Sequence, residues 1–297
     1  MEPKKKTIYV RMGETMLYDS HTHINEERYT DIERQEVIKK IEDSIRAGIL
    51  SYVNDIGCTL ETSRMAVEHA ERYNWCYSTV GIHPHWAAEA DDMILMMIKS
   101  LAKKRKVVAI GEIGLDFYYD NSPRDIQRDV FRKQIKIANE LKLPIVIHSR
   151  EADQETLEIL KEEGAFSDLR KSWFLARPTP AGWSSASGDA KVLLHCYSGS
   201  SELASQYVRL GGWISIAGPV TFKNNKKTVK VVKEIPAEFL MVETDAPYLT
   251  PEPFRGKPNI SPYVEHTARR VGVIKDIEFE EICRITTENA KRFFGVK

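Results

Sequence analysis

The sequence lacks any long hydrophobic run. Its longest apolar stretches, such as Ile145 to Ile147 and Phe239 to Val242, are only a few residues long, whereas a helix needs roughly 20 apolar residues to cross a bilayer. We therefore expect no membrane-spanning segment. The early lysines, Lys4 to Lys6, have no apolar segment behind them, so the pattern predicts no secretory signal and a cytoplasmic location.

Cysteine pairs and an excess of charge of one sign are also absent. The four cysteines, Cys58, Cys76, Cys196 and Cys283, form no CxxC pair, which favours reduced, mostly buried thiols over a disulfide framework or a zinc knuckle. Lys plus Arg and Asp plus Glu each number 43, so no global basic field attracts nucleic acid. A nucleic-acid partner would need a local site.

What remains is an ordinary globular composition. Hydrophobic residues make up 42% and charged residues 29% of the 297 residues, so neither a disordered nor a fibrous chain fits. The length suits a single barrel of alternating strands and helices, a fold of roughly 250 residues or more. No sequence feature indicates an obligate protein partner.

Short β-branched runs alternate along the chain with longer stretches whose apolar residues recur at three and four positions, as in amphipathic helices. The eight predicted strands are Met16 to Ser20, Tyr52 to Gly57, Tyr77 to Ile82, Val107 to Glu112, Pro144 to His148, Val192 to Cys196, Trp213 to Ala217 and Phe239 to Thr244. Ser122 and Ser261, each followed by a proline, are predicted to cap helices. Eight strands favour a closed (β/α)8 TIM barrel over an open doubly wound sheet.

The predicted domain is a single barrel over 16–297, preceded by an extension over 1–15 in which Ile8 to Val10 could add an edge strand. The segment Phe166 to Ala190 interrupts the alternation and is predicted to be an irregular inserted loop. Its Trp173 and Trp183 could cover a substrate or, as we favour, patch the flank of the barrel. Because it precedes the sixth strand, we expect it on the face opposite the active site, as a stability or partner element.

Histidines and carboxylates recur at the carboxyl ends of the predicted strands. They are His21 and His23 after the first strand, Glu112 at the fourth, His148 at the fifth, His195 at the sixth and Asp245 at the eighth. In a barrel these ends share one rim, where active sites are built. Four imidazoles and two carboxylates exceed the needs of one tetrahedral ion but suit two divalent cations about 3.5 to 4 Å apart. Mixed nitrogen and oxygen ligation fits Zn, Mn, Fe or, less naturally, Mg, and the choice stays open.

Other rim residues are candidates for substrate contact. His83, in the segment GIHPH, could donate to a substrate oxygen or to a metal-bound water. Arg150, two residues beyond His148, carries a planar fork that matches a phosphate. Arg255 and Lys257 follow the last strand and place positive charge on the opposite side of the mouth.

Three further ionisable residues are assigned smaller roles. Glu243 lies on the same side of its strand as Asp245 and either assists it or, slightly favoured, fills the barrel and pairs with an interior donor. His69 and His85 are interpreted as structural or surface residues.

Six sequence blocks carry a family resemblance. They are YDSHTHIN (18–25), VGIHPH (80–85), AIGEIGLDFYYD (109–120), PIVIHSR (144–150), LLHCYSG (193–199) and VETDAPYLTPEPFRGKPN (242–259). Together they resemble the TatD-type metal-dependent deoxyribonucleases of the amidohydrolase superfamily. The resemblance implies a (β/α)8 barrel with two divalent cations and 3′-to-5′ exonuclease activity on DNA or RNA. It also implies one metal held by His21, His23 and Asp245 and a second held by His148 and His195, with Glu112 bridging them.

The chain departs from the family pattern in three places, the first of which is the lead over 1–15 that lies outside the barrel pattern. The 166–190 loop is longer than the usual connection, and Pro258 and Ile260 replace the Arg and Glu that flank Asn259 in many relatives.

The sequence therefore predicts hydrolysis of a phosphodiester by a metal-activated hydroxide, with Asp245 as both ligand and general base. A second reading uses the same metals to cleave a carboxylic ester or amide, as a lactonase or a D-aminoacyl-tRNA deacylase does; the positions of Arg and Lys favour phosphate. A binding module with purely structural metals fits poorly, because structural sites are closed by protein ligands.

Overall fold

The computed structural model describes residues 16–177, 179–183 and 188–297. The predicted amino-terminal extension and its edge strand at Ile8 to Val10 lie outside the described residues.

Eight strands alternate with helices along the described chain. The strands are β1 (Leu17–Thr22), β2 (Leu50–Ile56), β3 (Cys76–Val80), β4 (Val107–Asp116), β5 (Ile145–Arg150), β6 (Val192–Leu194), β7 (Gly212–Ile216) and β8 (Leu240–Val242). The α-helices are α1 (Asp31–Arg46), α2 (Leu60–Arg72), α3 (Asp92–Leu101), α4 (Arg124–Leu141), α5 (Asp153–Glu162), α6 (Asp168–Lys171), α7 (Ser201–Leu210), α8 (Lys226–Glu234), α9 (Val264–Lys275) and α10 (Phe279–Phe294). No described helix is long and apolar enough to cross a membrane.

All neighbouring strands pair in parallel, in the order β1 to β8. The first and last strands meet through main-chain hydrogen bonds, in which Asp245 N donates to His21 O at 2.9 Å and His23 N donates to Ala246 O at 2.8 Å. The sheet is thereby a nearly closed barrel, which confirms the predicted (β/α)8 fold. Its carboxyl-terminal rim gathers residues that are far apart in the sequence.

Alternation along the strands separates two apolar layers. One face of β1, β6 and β7 contributes Leu17, Leu194 and Ile214 to the large core under the helices. The opposite face contributes Tyr18 and Trp213, among others, to a smaller cluster that packs against the end of α10. This second layer fills the barrel beneath the rim, so the polar residues of the rim lie above a packed apolar interior.

Two irregularities in the strand register lie at predicted ligands. From Asp19 to Thr22, β1 advances three residues while its partner β2 advances two. From Ile110 to Ile113, β4 advances three residues while β5 advances two. Each shift is a one-residue bulge, which re-aims a side chain, and the bulges include His21 and Glu112. The strand β4 does not end at Glu112 as predicted but continues to Asp116.

The predicted serine caps are wrong. Pro123 is the residue before α4, without a side-chain cap, and Ser122 Oγ instead donates to His85 O at 2.9 Å. Ser261 begins a short 3₁₀ helix without a side-chain cap, and its hydroxyl bonds Thr22 Oγ1 at 3.2 Å. Both hydroxyls fasten loops of the rim rather than helix ends.

Part of the segment predicted to be an irregular loop forms the short helix α6. From this helix, buried Arg170 donates to Ala190 O at 2.7 Å and to Leu143 O at 2.8 Å. Ala190 lies two residues before β6, and Leu143 lies two residues before β5. This part of the insertion therefore lies against the amino-terminal end of the barrel. Trp183 packs on Phe239, with ring centroids 5.7 Å apart.

Candidate metal centre

Five elements bring the six predicted metal ligands together. His21 is the penultimate residue of β1 and His23 follows that strand; Glu112 and His148 lie in β4 and β5; His195 and Asp245 follow β6 and β8. Five of the six line a cavity of about 790 Å³, and His21 is fully buried beside them. The barrel thus turns dispersed sequence positions into one cluster.

Glu112 divides the cluster into two halves. Its Oε2 lies 3.3 Å from His21 Nε2 and 4.0 Å from His23 Nε2. Its Oε1 lies 2.8 Å from His148 Nδ1 and 2.7 Å from His195 Nε2. Glu112 Oε1 also lies 3.5 Å from His83 Nε2. Each oxygen of the carboxylate therefore faces a different set of imidazoles, which is the arrangement that a bridging ligand requires.

Asp245 completes the first half. Its Oδ1 lies 3.3 Å from His23 Nε2 and 3.7 Å from His21 Nε2, and these two nitrogens are 3.3 Å apart. The residue has a positive φ of 57°, a conformation that costs energy outside glycine and concentrates at functional sites. The backbone bond from Asp245 to His21 holds it there.

Hydrogen bonds on the outer side of three of the four imidazoles orient them. His23 Nδ1 donates to Ile56 O at 3.1 Å, and His195 Nδ1 donates to Glu243 Oε1 at 3.2 Å. His148 uses Nε2 to reach Asp116 Oδ2 at 3.1 Å. Ring protons placed outward leave the opposite nitrogens with lone pairs turned inward, as metal-binding histidines show.

The inward-facing imidazole nitrogens are suited to bind cations, because they cannot hydrogen-bond to one another. His148 Nδ1 and His195 Nε2 are 3.4 Å apart, and with their protons on the outer nitrogens neither can donate to the other. Such facing lone pairs repel unless a proton or a cation lies between them. The donor set of imidazole nitrogens and carboxylate oxygens suits a divalent transition metal, so the residues present fit the expected group.

Charges in the cluster shift its titration. Burial alone disfavours a charged ring, yet the carboxylates of Glu112 and Glu243 raise the pKa of His195 well above its ordinary value. Burial likewise opposes ionisation of Glu112, but the neighbouring imidazoles His195 and His83 hold its pKa well below the usual range. Without a cation, these carboxylates therefore favour a proton on His195, which a bound metal would displace.

The predicted substrate-contact residues do not all gather at the cavity. His83 and Arg150 line it. The Arg255 guanidinium lies 4.3 Å from the Phe222 ring centre and the Lys257 ammonium 5.7 Å from that of Phe254. Among the described residues that line the cavity, neither Arg255 nor Lys257 is present.

Sequence reasoning missed several residues of the site. Asp116 and His85 are joined at 3.0 Å behind His148. Cys58 Sγ lies 3.9 Å from Glu112 Oε2, and burial raises the pKa of this thiol to about 11. Asp116 lies four residues after Glu112, which could have indicated its role. The predicted strand ended at Glu112, however, so Asp116 was placed outside it.

A polar triad at the mouth was also missed. Arg28 donates to Glu26 Oε1 at 2.8 Å and to the Tyr248 hydroxyl at 2.6 Å, and Tyr248 in turn bonds Glu26. All three line the cavity. Arg28 and Arg150 are thus the two arginines in the lining of the described cavity.

Two residues interpreted as structural have clear partners. His69 bonds Asp55 at 2.6 Å, away from the cluster, in line with a structural role. Glu243 is fully buried and accepts from Cys196 N at 2.7 Å as well as from His195. It pairs with an interior donor, and that donor is one of the predicted metal ligands.

A barrel whose rim gathers histidines around a shared carboxylate defines a metal-dependent hydrolase of the (β/α)8 type. A family profile described as TatD related DNase matches residues 18–295. The chain belongs to this family.

Curated relatives agree with the assignment. The chain is 43% identical over 281 residues to the uncharacterized metal-dependent hydrolase YabD of Bacillus subtilis, covering 95% of this chain and all of the relative. It is 30% identical to the uncharacterized metal-dependent hydrolase TatD of Mycobacterium tuberculosis, covering 94% and 98%. The crystal structure of YJJV, a TatD homolog from Escherichia coli, superimposes with a TM-score of 0.80 at 24% identity, covering 95% and 98%, and supports the fold.

Proposed function

We propose that this protein is a 3′-to-5′ exonuclease that hydrolyses phosphodiester bonds of DNA, with RNA as a second polymer, using two divalent cations. The observation that supports two cations is the position of Glu112, whose two oxygens face different sets of imidazoles. His21, His23 and Asp245 would hold one cation, and His148 and His195 the other. Mg, Mn and Zn are the candidate ions. The direction of cleavage rests on the family resemblance.

The bound cations would supply an activated water and neutralise charge on the phosphate. The chain's own residues do the rest. Asp245 Oδ2 accepts the proton of the attacking water, while its Oδ1 stays with the imidazoles. His83 Nδ1 accepts from the backbone N–H of His85 at 3.1 Å, so the ring proton of neutral His83 lies on Nε2. His83 Nε2 lies 3.5 Å from Glu112 Oε1, so a phosphate oxygen bound beside this carboxylate would be within reach of that proton.

Positive charge in the cavity supports a phosphate substrate. Arg150 is exposed at the rim and lines the cavity with His148 and Glu112. The chain has no net charge that would attract a polyanion. A guanidinium near the metal centre supplies positive charge locally and stabilises a bound phosphate. Arg255 and Lys257 remain candidates for contact with parts of a longer substrate that extend beyond the cavity.

A substrate panel tests the proposal. The purified protein is supplied with Mg, Mn or Zn and assayed on bis-p-nitrophenyl phosphate, end-labelled single-stranded DNA and RNA, a simple carboxylic ester, a lactone and a D-aminoacyl-tRNA. We expect the diester and DNA to be cleaved, with product lengths that shorten from the 3′ end. Efficient turnover of the ester, lactone or aminoacyl substrate alone would contradict the proposal and favour the second reading.

A further inference from the structure

Two tyrosines stand at the rim directly after β4. Tyr118 is 54% and Tyr119 53% exposed, which is high for residues beside a buried polar cluster. Their rings meet edge to face with centroids 4.9 Å apart. About half of each tyrosine therefore remains accessible to a ligand.

Arg150 covers both rings. Its guanidinium carbon lies 4.1 Å from the ring centre of Tyr118 and 4.6 Å from that of Tyr119. A guanidinium laid against aromatic rings forms a cation–π contact. Arg150 and Tyr119 both line the cavity that contains Glu112, whereas Tyr118 is absent from its described lining.

The pair is fixed relative to the metal centre. Asp116 Oδ1 accepts hydrogen bonds from the backbone N–H groups of Tyr118 at 3.0 Å and Tyr119 at 2.9 Å. The other oxygen of the same carboxylate bonds His148 Nε2 at 3.1 Å. The Tyr119 ring also meets the His85 ring edge to face, with centroids 5.4 Å apart. One carboxylate therefore sets both a ligand imidazole and the neighbouring aromatic surface.

We propose that Tyr119 and Arg150 form a stacking platform for the nucleobase next to the phosphate that is hydrolysed. This inference rests on the proposed function and names the side chains that contact the base beside the scissile bond. A planar base has an aromatic face that Tyr119 accepts whatever the base, and the charge of Arg150 suits the flanking phosphate. The platform gives affinity without sequence preference.

A pair of oligonucleotides tests the platform. Both are single-stranded and end-labelled, and they differ only in that one carries a tetrahydrofuran abasic residue beside the terminal phosphodiester. We expect kcat/KM of the wild-type protein to be about tenfold or more higher for the intact oligonucleotide. In Tyr119→Ala this ratio should fall close to one, and Tyr119→Phe should restore it because the ring is retained.

Tyr118→Ala is the matched control. Tyr118 is adjacent, equally exposed and under the same arginine, but it is outside the described lining of the cavity, so this variant should keep the wild-type ratio. Fluorescence anisotropy of both oligonucleotides on the Glu112→Gln variant gives the same comparison for binding alone. There, too, the intact oligonucleotide should bind about tenfold more tightly.

The outcomes separate the two proposals. If the wild-type protein cleaves both oligonucleotides with equal kcat/KM, the platform is wrong and the nuclease assignment stands. If Tyr118→Ala loses the ratio and Tyr119→Ala keeps it, the platform is also wrong. If neither oligonucleotide nor bis-p-nitrophenyl phosphate is hydrolysed with any of the three metals, the proposed function fails and the platform with it.

Discussion

Asp116 accepts a hydrogen bond from His148, with 3.1 Å between Oδ2 and Nε2, and so turns His148 Nδ1 toward Glu112. Asp116 is buried and is not itself among the candidate ligands grouped around the cluster in the described chain. The orientation of a ligand imidazole is thus set by a carboxylate one layer outside the site. Residues in this position commonly matter almost as much as the ligands.

The first prediction concerns this hydrogen bond. Asp116→Asn should weaken binding of the cation held by His148 and His195 by about 10- to 100-fold and leave the other cation nearly unchanged. Isothermal titration of the metal-free protein with Mn²⁺ resolves the two affinities. The control is Asp120→Asn, which alters an exposed carboxylate paired with Arg124. If Asp116→Asn binds Mn²⁺ at both sites as tightly as Asp120→Asn does, Asp116 has no positioning role.

The second prediction concerns the bridge. Glu112→Gln should lower turnover of bis-p-nitrophenyl phosphate by about two orders of magnitude or more, because a neutral amide bridges two cations poorly. Circular dichroism should show an intact fold. Glu36→Gln, a change on the exposed face of α1, makes the same chemical substitution away from the site and should retain wild-type turnover. Full activity of Glu112→Gln would end the bridging assignment.

The third prediction concerns pH. Burial disfavours the charged ring of His148, but Asp116 and Glu112 raise its pKa above the ordinary 6.5, and Glu112 raises the pKa of His195 likewise. A protonated imidazole cannot bind a cation, so protons compete below these raised pKa values. Metal affinity should therefore fall as the pH falls, and its rise should continue above pH 6.5. Titrations between about pH 6 and about pH 9 measure this slope; a flat profile would show that the imidazoles do not take part.

The fourth prediction concerns the inserted segment. The fully buried Arg170 bonds Ala190 O, Leu143 O and Asn139 Oδ1. Arg170→Met leaves these acceptors without a donor and should lower the free energy of unfolding by about 3 kcal/mol. Urea denaturation measures the loss, and Lys161→Met on the exposed side of α5 is the control. Because the contacts lie at the end of the barrel away from the metal centre, kcat of the folded variant should stay within a few-fold of wild type.

The strands and the six candidate ligands could be predicted from the sequence because each signal is local. A β-branched run followed by histidine or a carboxylate marks the carboxyl end of a parallel strand, and closure of the barrel then brings these ends together. Asp245 lies 224 residues from His21 in the sequence, yet its Oδ1 is 3.7 Å from His21 Nε2, because the end of β8 meets β1. No long-range information beyond the fold was needed.

The rest depends on register and side-chain packing. The sequence predicts that β4 ends at Glu112, whereas the strand is bulged there and continues to Asp116, so the Asp116–His85 pair was missed. The prediction that Arg255 and Lys257 contact the substrate stays a prediction. Their positions beside the rings of Phe222 and Phe254 depend on tertiary packing, which residue spacing does not give. The cytoplasmic location stays a prediction.

Anomalous diffraction from crystals soaked in Mn²⁺ would locate the cations themselves. We expect two peaks per chain, one beside Glu112 Oε2 among His21, His23 and Asp245, and the other beside Oε1 between His148 and His195. Crystals of Glu112→Gln should lose at least one of them. A single peak per chain at saturating Mn²⁺, or two peaks of which neither touches Glu112, would show that Glu112 does not bridge two cations.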